Sequence, residues 1–136
     1  MTRWKTRLRS TDGFTLMELM IVLSLIVLLA SIGLTAYRTS VQRGREAVLK
    51  EDLFRMRDAI DQFFVDKGKY PADLNEVVAA GYLRSVPADP MTSSTESWQL
   101  IPAEPDPNNP TGEIGIFDVK SGSEANAIDG SRYADW

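Results

Sequence analysis

The chain has 136 residues, a formal net charge of −4 at neutral pH, and neither cysteine nor histidine. That length gives one modest domain beside a membrane-length segment, and too little chain for two independent cores. Missing thiols exclude disulfide staples and thiol-linked lipids, and missing imidazoles remove the commonest general base and transition-metal ligand. In chain order a basic stretch comes first, with Arg3, Lys5, Arg7 and Arg9, and it closes on Gly13. An uncharged apolar run follows from Leu19 to Tyr37. As a helix it spans about 28 Å, close to the hydrocarbon thickness of a bilayer. Basic residues before the run, and none after it until Arg38, predict a cytoplasmic N-terminus and an exported remainder. Glu18 stands at the mouth of the run, where a simple anchor has little use for a carboxylate.

Helical character is predicted to continue beyond the apolar run. Leu49, Leu53, Met56, Ile60 and Phe63 recur at steps of four and three, one apolar stripe on a helix face. That stripe reads as core packed against a sheet in preference to a ligand groove. Between its members Lys50, Glu51, Asp52, Arg55, Arg57, Asp58 and Asp61 read as a solvated face. Gly68 and Pro71 stop the helix, so a single element is expected from about Phe14 to Asp66.

Asp73 and Glu76 have capping-box spacing ahead of Val77 and Val78, and Gly81 ends the short helix they begin. Pro87 and Pro90 make the next stretch irregular. Trp98 to Ile101 and Ile114 to Val119 read as two short strands, joined across a loop holding four prolines and the Asn108–Asn109 pair. The last segment, Lys120 to Trp136, is rich in small and polar residues. Its closing aromatics, Tyr133 and Trp136, predict a loop pinned back on the domain.

Gly13 directly before Phe14-Thr15-Leu16-Met17-Glu18, between a basic tail and an apolar block, resembles the processing site of type IV prepilins and of type II secretion pseudopilins. Further pieces are Asp66-Lys67-Gly68-Lys69-Tyr70-Pro71, Gly81-Tyr82-Leu83 leading to Pro87-Ala88-Asp89-Pro90, Phe117-Asp118-Val119-Lys120-Ser121-Gly122-Ser123, and the closing Trp136. In that order they resemble the major pseudopilin. The resemblance implies a pilin-like α+β fold, with a long N-terminal helix, membrane-spanning in its first half, packed on a small antiparallel sheet. It divides the chain into a cleaved leader (1–13), a transmembrane or polymer-core segment (14–37) and a periplasmic domain (38–136).

The same resemblance implies cleavage between Gly13 and Phe14 by a prepilin peptidase, which also N-methylates the new amine of Phe14. That amine is the partner Glu18 needs, supplied by a neighbouring subunit in a helical array. Partners implied are further copies of the chain, an assembly ATPase, an inner-membrane platform and minor pseudopilins. Loss of residues 1–13 removes Arg3, Lys5, Arg7, Arg9 and Asp12, taking the net charge from −4 to −7, which argues against nucleic acid as a main partner. The reading is a structural filament subunit of the inner membrane and periplasm, not an enzyme. A type IV pilin for adhesion, motility or DNA uptake is the alternative within the class. A Sec-exported binding module, cut after Leu34-Thr35-Ala36, is the alternative outside it, and it leaves Glu18 unused.

Two departures from the family pattern stand out. Thr35 occupies the position where relatives usually have a proline, so the helix is expected to run on, with Gly33 as a weak point. Major pseudopilins also commonly hold calcium in the last loop. Asp118, Ser121 and Asp129, with Ser123, Glu124 and Asp135 nearby, supply oxygen donors, although without regular Asp-x-Asp spacing. No cofactor is required by this reading; calcium is the one the resemblance allows.

Overall fold

The computed structural model describes residues 13–136. It divides into two compact units, one ending at Arg38 and one spanning Thr39–Trp136. Both draw on the first helix, α1, which runs Leu16–Lys67 without interruption. No proline falls within those bounds, and neither Thr35 nor Gly33 breaks the helix. Thr15 begins it: its Oγ1 accepts the backbone N–H of Glu18 at 3.1 Å, satisfying one of the donors a helix start leaves open. Gly68 ends it with φ +70°, donating its N–H to the Phe64 carbonyl at 2.8 Å.

In the first unit every described side chain is exposed. The polar members of this apolar stretch are satisfied locally. Ser24 Oγ donates to the Met20 carbonyl, Ser31 Oγ to Val27 and Thr35 Oγ1 to Ser31, at 2.8, 2.8 and 3.2 Å. A hydroxyl bonded to the preceding turn removes its need for water, which suits a helix face bound for hydrocarbon.

The second unit holds the core. Leu49, Leu53, Met56, Ile60 and Phe63, the expected stripe, are all buried, and Ala59 joins them. Helix α2 (Leu74–Ala79) adds Leu74 and Val77. Its cap follows the sequence with one change. Asp73 Oδ1 accepts the Glu76 N–H at 2.8 Å, but the Glu76 carboxylate reaches back to the N–H of Ala72, one residue before the cap. Gly81, at φ +86°, and Tyr82 close α2 with bonds to the Val78 and Val77 carbonyls, the paired pattern of a glycine-terminated helix.

Strands β1 (Gln99–Pro102) and β2 (Ile116–Lys120) form a two-stranded antiparallel sheet with Gln99 opposite Lys120. The expected second strand is displaced: Ile114 and Gly115 lie outside it and Lys120 lies inside. The reason is Tyr70. A Cβ on Gly115 would stand 2.5 Å from the Tyr70 carbonyl oxygen, so the chain passes too close there for any larger residue. The next N–H, on Ile116, donates to Pro71 at 2.8 Å. Trp98 also stands outside β1; its ring is buried and its indole N–H donates to the Pro87 carbonyl.

The irregular stretch around Pro87 and Pro90 is anchored by Asp89, which is fully buried. Its carboxylate accepts Ser121 Oγ–H at 2.6 Å and the N–H groups of Gly122 and Met91 at 3.2 and 2.8 Å. Three donors offset the cost of removing that carboxylate from water. A 3-10 turn, Tyr133–Asp135, ends the unit, with Tyr133 buried and its ring edge-on to Trp136 at 5.1 Å. The loop is therefore pinned back as its aromatics predicted.

Candidate functional site

The basic residues Arg3, Lys5, Arg7 and Arg9 lie outside the described residues, and Gly13 is the first one described. No atom among the described residues lies within 4 Å of the position a Cβ on Gly13 would take. The local fold therefore does not require glycine here. Phe14 follows, with 85% of its surface exposed. Both precede the first helical residue, so the Gly13–Phe14 bond sits in non-helical chain at the foot of α1.

Glu18 lies in the first turn of α1 and is exposed. A carboxylate there faces the positive end of the helix dipole, worth about 0.3–1 kcal/mol at an exposed site. Thr15 and Glu18 have capping-box spacing, and the backbone half of that box forms. Thr15 is thus a positioning residue that the Gly13, Phe14 and Glu18 pattern leaves out; its signal in the sequence is the three-residue step to Glu18. Among the described residues no ion pair reaches the Glu18 carboxylate. Above it, the large apolar side chains from Leu19 to Tyr37 are 44–69% exposed. Moving each from water into hydrocarbon or against another helix contributes about 1.5–3 kcal/mol. A continuous apolar surface of this kind marks an interaction surface.

The three oxygen donors expected for calcium each have partners within the protein. Asp118 Oδ1 accepts Arg57 Nε–H at 2.6 Å and the Val119 N–H at 2.7 Å. Ser121 is buried and donates to Asp89. Asp129 is exposed and closes its own turn, accepting the N–H and Oγ–H of Ser131 at 2.9 and 2.6 Å. Those bonds, chiefly the Ser131 hydroxyl and then its N–H, with Lys50 assisting, hold the Asp129 carboxyl below its ordinary value. Asp135 pairs with Arg132. Among the described residues no group of three or more carboxylates is gathered in a way that holds a metal ion. Arg57, expected on a solvated face, is instead a half-buried cation serving three acceptors: Asp118, the Val119 carbonyl and the Trp136 carbonyl at 2.6, 2.9 and 2.7 Å.

Comparison with known proteins places the N-terminal features in context. Residues 8–34 match the family model for the prokaryotic N-terminal methylation motif. The chain is 41% identical over 61 residues to the fimbrial protein EcpC of Eikenella corrodens, a match covering 45% of this chain and 40% of that protein. It is 26% identical over 137 residues to the type II secretion system core protein G of Aeromonas hydrophila, covering 89% of this chain and 90% of the relative. A type IV major pilin protein of Neisseria gonorrhoeae is 36% identical over 61 residues, 43% of this chain and 36% of that pilin. No solved structure matches at the same significance. None of these relatives bears the name of an enzyme, in agreement with the expectation from the sequence.

Proposed function

Since the chain carries the prokaryotic N-terminal methylation motif and is homologous both to type IV pilins and to core protein G of type II secretion systems, we propose that it is the structural subunit of a periplasmic pseudopilus that drives type II protein secretion. Coverage carries the choice within this group: the core protein G alignment takes in 90% of that relative, the gonococcal pilin alignment 36%.

The chemistry begins at Gly13. A peptidase that must draw extended chain into its site favours a residue without a side chain, and the local fold leaves that position open. Cleavage before Phe14 makes a new α-amino group, and N-methylation keeps its positive charge. Glu18 of an incoming subunit then pairs with the Phe14 amine of its neighbour, setting axial register. Neither charge is left alone in a poorly hydrated core. Leu19 to Tyr37 holds the stored subunit in the inner membrane and packs against identical segments in the fibre. An assembly ATPase acting through an inner-membrane platform, with minor pseudopilins, completes the machine.

The test is genetic. Deleting the gene and assaying culture medium for type II cargo, alongside surface adhesion and twitching, separates the two readings. Cargo retained in the periplasm with motility intact is the expected result. Normal secretion with lost motility or adhesion overturns it in favour of a type IV pilin.

A further inference from the structure

The C-terminal loop is closed on α1 by a column of charged side chains, all within the second unit. Glu46 Oε1 accepts the Tyr133 hydroxyl at 2.7 Å and the Ile128 N–H at 2.9 Å. Gln42, one turn earlier, donates to the same tyrosine oxygen at 3.0 Å. One turn later, the Lys50 ammonium stands 4.6 Å from the centre of the Trp136 ring, and the Trp136 indole N–H donates to Ser131 Oγ. Two turns beyond that, Arg57 grips Asp118 of β2 and the Trp136 carbonyl together. Steps of four and seven place Glu46, Lys50 and Arg57 along one flank of the buried Leu49–Leu53–Met56 stripe. Lys50 is exposed, as expected, and also stands over the ring of the closing tryptophan.

We propose that this column closes the loop in the role a bound divalent cation would otherwise fill, so that folding of Thr39–Trp136 is independent of calcium. Three observations carry it. The hollow where the loop meets α1 is lined by Lys50, Arg57, Asp129, Leu53 and Trp136, with Lys50 acting on Asp129 and Arg57 paired to Asp118. A divalent cation entering there has to compete with those ammonium and guanidinium partners. One oxygen of each candidate is committed elsewhere: Asp118 Oδ1 to Arg57, Ser121 Oγ to Asp89, and Asp129 Oδ1 to its own turn. Both ends of the loop are already held, Ile128 and Tyr133 by Glu46 and Trp136 by Arg57. The closure holds whether the fibre is a pseudopilus or a pilus.

The experiment uses the full chain in detergent micelles, followed by thermal unfolding and by amide hydrogen exchange, with millimolar calcium or with EDTA. The expected midpoint is the same in both, within about 1 °C, because nothing binds the folded form preferentially; a site filled at a hundred times its dissociation constant raises a midpoint by roughly 10 °C or more. A rise of that size, or slower exchange at Ile128 and Tyr133 with calcium, overturns the proposal. Glu46→Leu is expected to speed exchange at Ile128 and Tyr133 by about tenfold or more, as local opening, while amides of the β1–β2 ladder are unmoved. Unchanged protection at those two amides in a folded Glu46→Leu chain also overturns it. Should that variant fail to fold, the calcium comparison on the unaltered chain decides alone.

Discussion

Tyr133 and Asp129 make the loop's response to pH readable. Desolvation, chiefly, raises the Tyr133 phenol above its ordinary value of 10.0; the Glu46 carboxylate adds to the rise and the Gln42 amide opposes it. An acid whose folded value is raised contributes stability that is complete below pH 10.0 and is lost as pH climbs through the folded value. Asp129 has the opposite sign. Its folded value lies below 3.8, so its contribution is present above pH 3.8 and is lost as pH falls through the folded value. Between these limits neither group titrates. Loop protection, read by hydrogen exchange corrected for intrinsic rate, is expected to stay level from about pH 5 to about pH 9 and to fall on both sides. Opening of the loop within that range would show that other groups govern it.

At the scale of elements, a close backbone approach joins the Asp89 loop to the segment after β2. Asp89 and Ser121 bond across 32 residues of sequence, and beside them Gly122 passes the Ser97 carbonyl. A Cβ at residue 122 would fall on that oxygen, which is backbone and cannot swing away. Gly122→Ala is therefore expected to push the segment after β2 off the Asp89 loop, lowering stability by about 2–4 kcal/mol, the cost of overpacking plus a strained buried carboxylate. Denaturant titration of the variant measures it. A loss under about 0.5 kcal/mol, the range of ordinary surface changes, would mean the approach relaxes freely. Gly13 gives the contrast: nothing described crowds it, so Gly13→Leu leaves the fold untouched and any effect belongs to processing.

For the whole molecule, the proposed function turns on association. Among the described residues the first unit buries none of its apolar side chains, while the second has a core of its own. An exposed apolar surface of that extent suits a membrane or an interface with further copies. Glu18→Val tests which contact sets the register. Cleavage and membrane insertion are expected to proceed, since neither uses the carboxylate. Subunit-to-subunit crosslinking in the cell envelope, which reads assembled fibre, is expected to fall by at least about tenfold, because the Phe14 amine of the neighbour is left without a counter-charge in a poorly hydrated core. Wild-type fibre yield from a Glu18→Val strain would end the pairing model while leaving the membrane segment's role intact.

The long helix, its buried stripe and its stop at Gly68 were legible in the sequence because each depends on near neighbours. A 3.6-residue period, a missing proline and a left-handed glycine act within a turn or two of chain. The α2 cap and its Gly81 exit were legible for the same reason. Other features depended on residues far apart. Arg57 and Lys50 sit beside the apolar stripe and, taken locally, look like any solvated charges. Only the fold brings Asp118 and Trp136, 61 and 79 residues away, to Arg57, and Tyr133, 87 residues away, to Glu46. The family resemblance, together with donor chemistry, likewise offered Asp118, Ser121 and Asp129 for calcium. Their actual partners, a guanidinium, a buried carboxylate and a local serine, were fixed by packing. Composition determines which ions a loop is able to bind, and the tertiary structure decides whether its oxygens are left to do so.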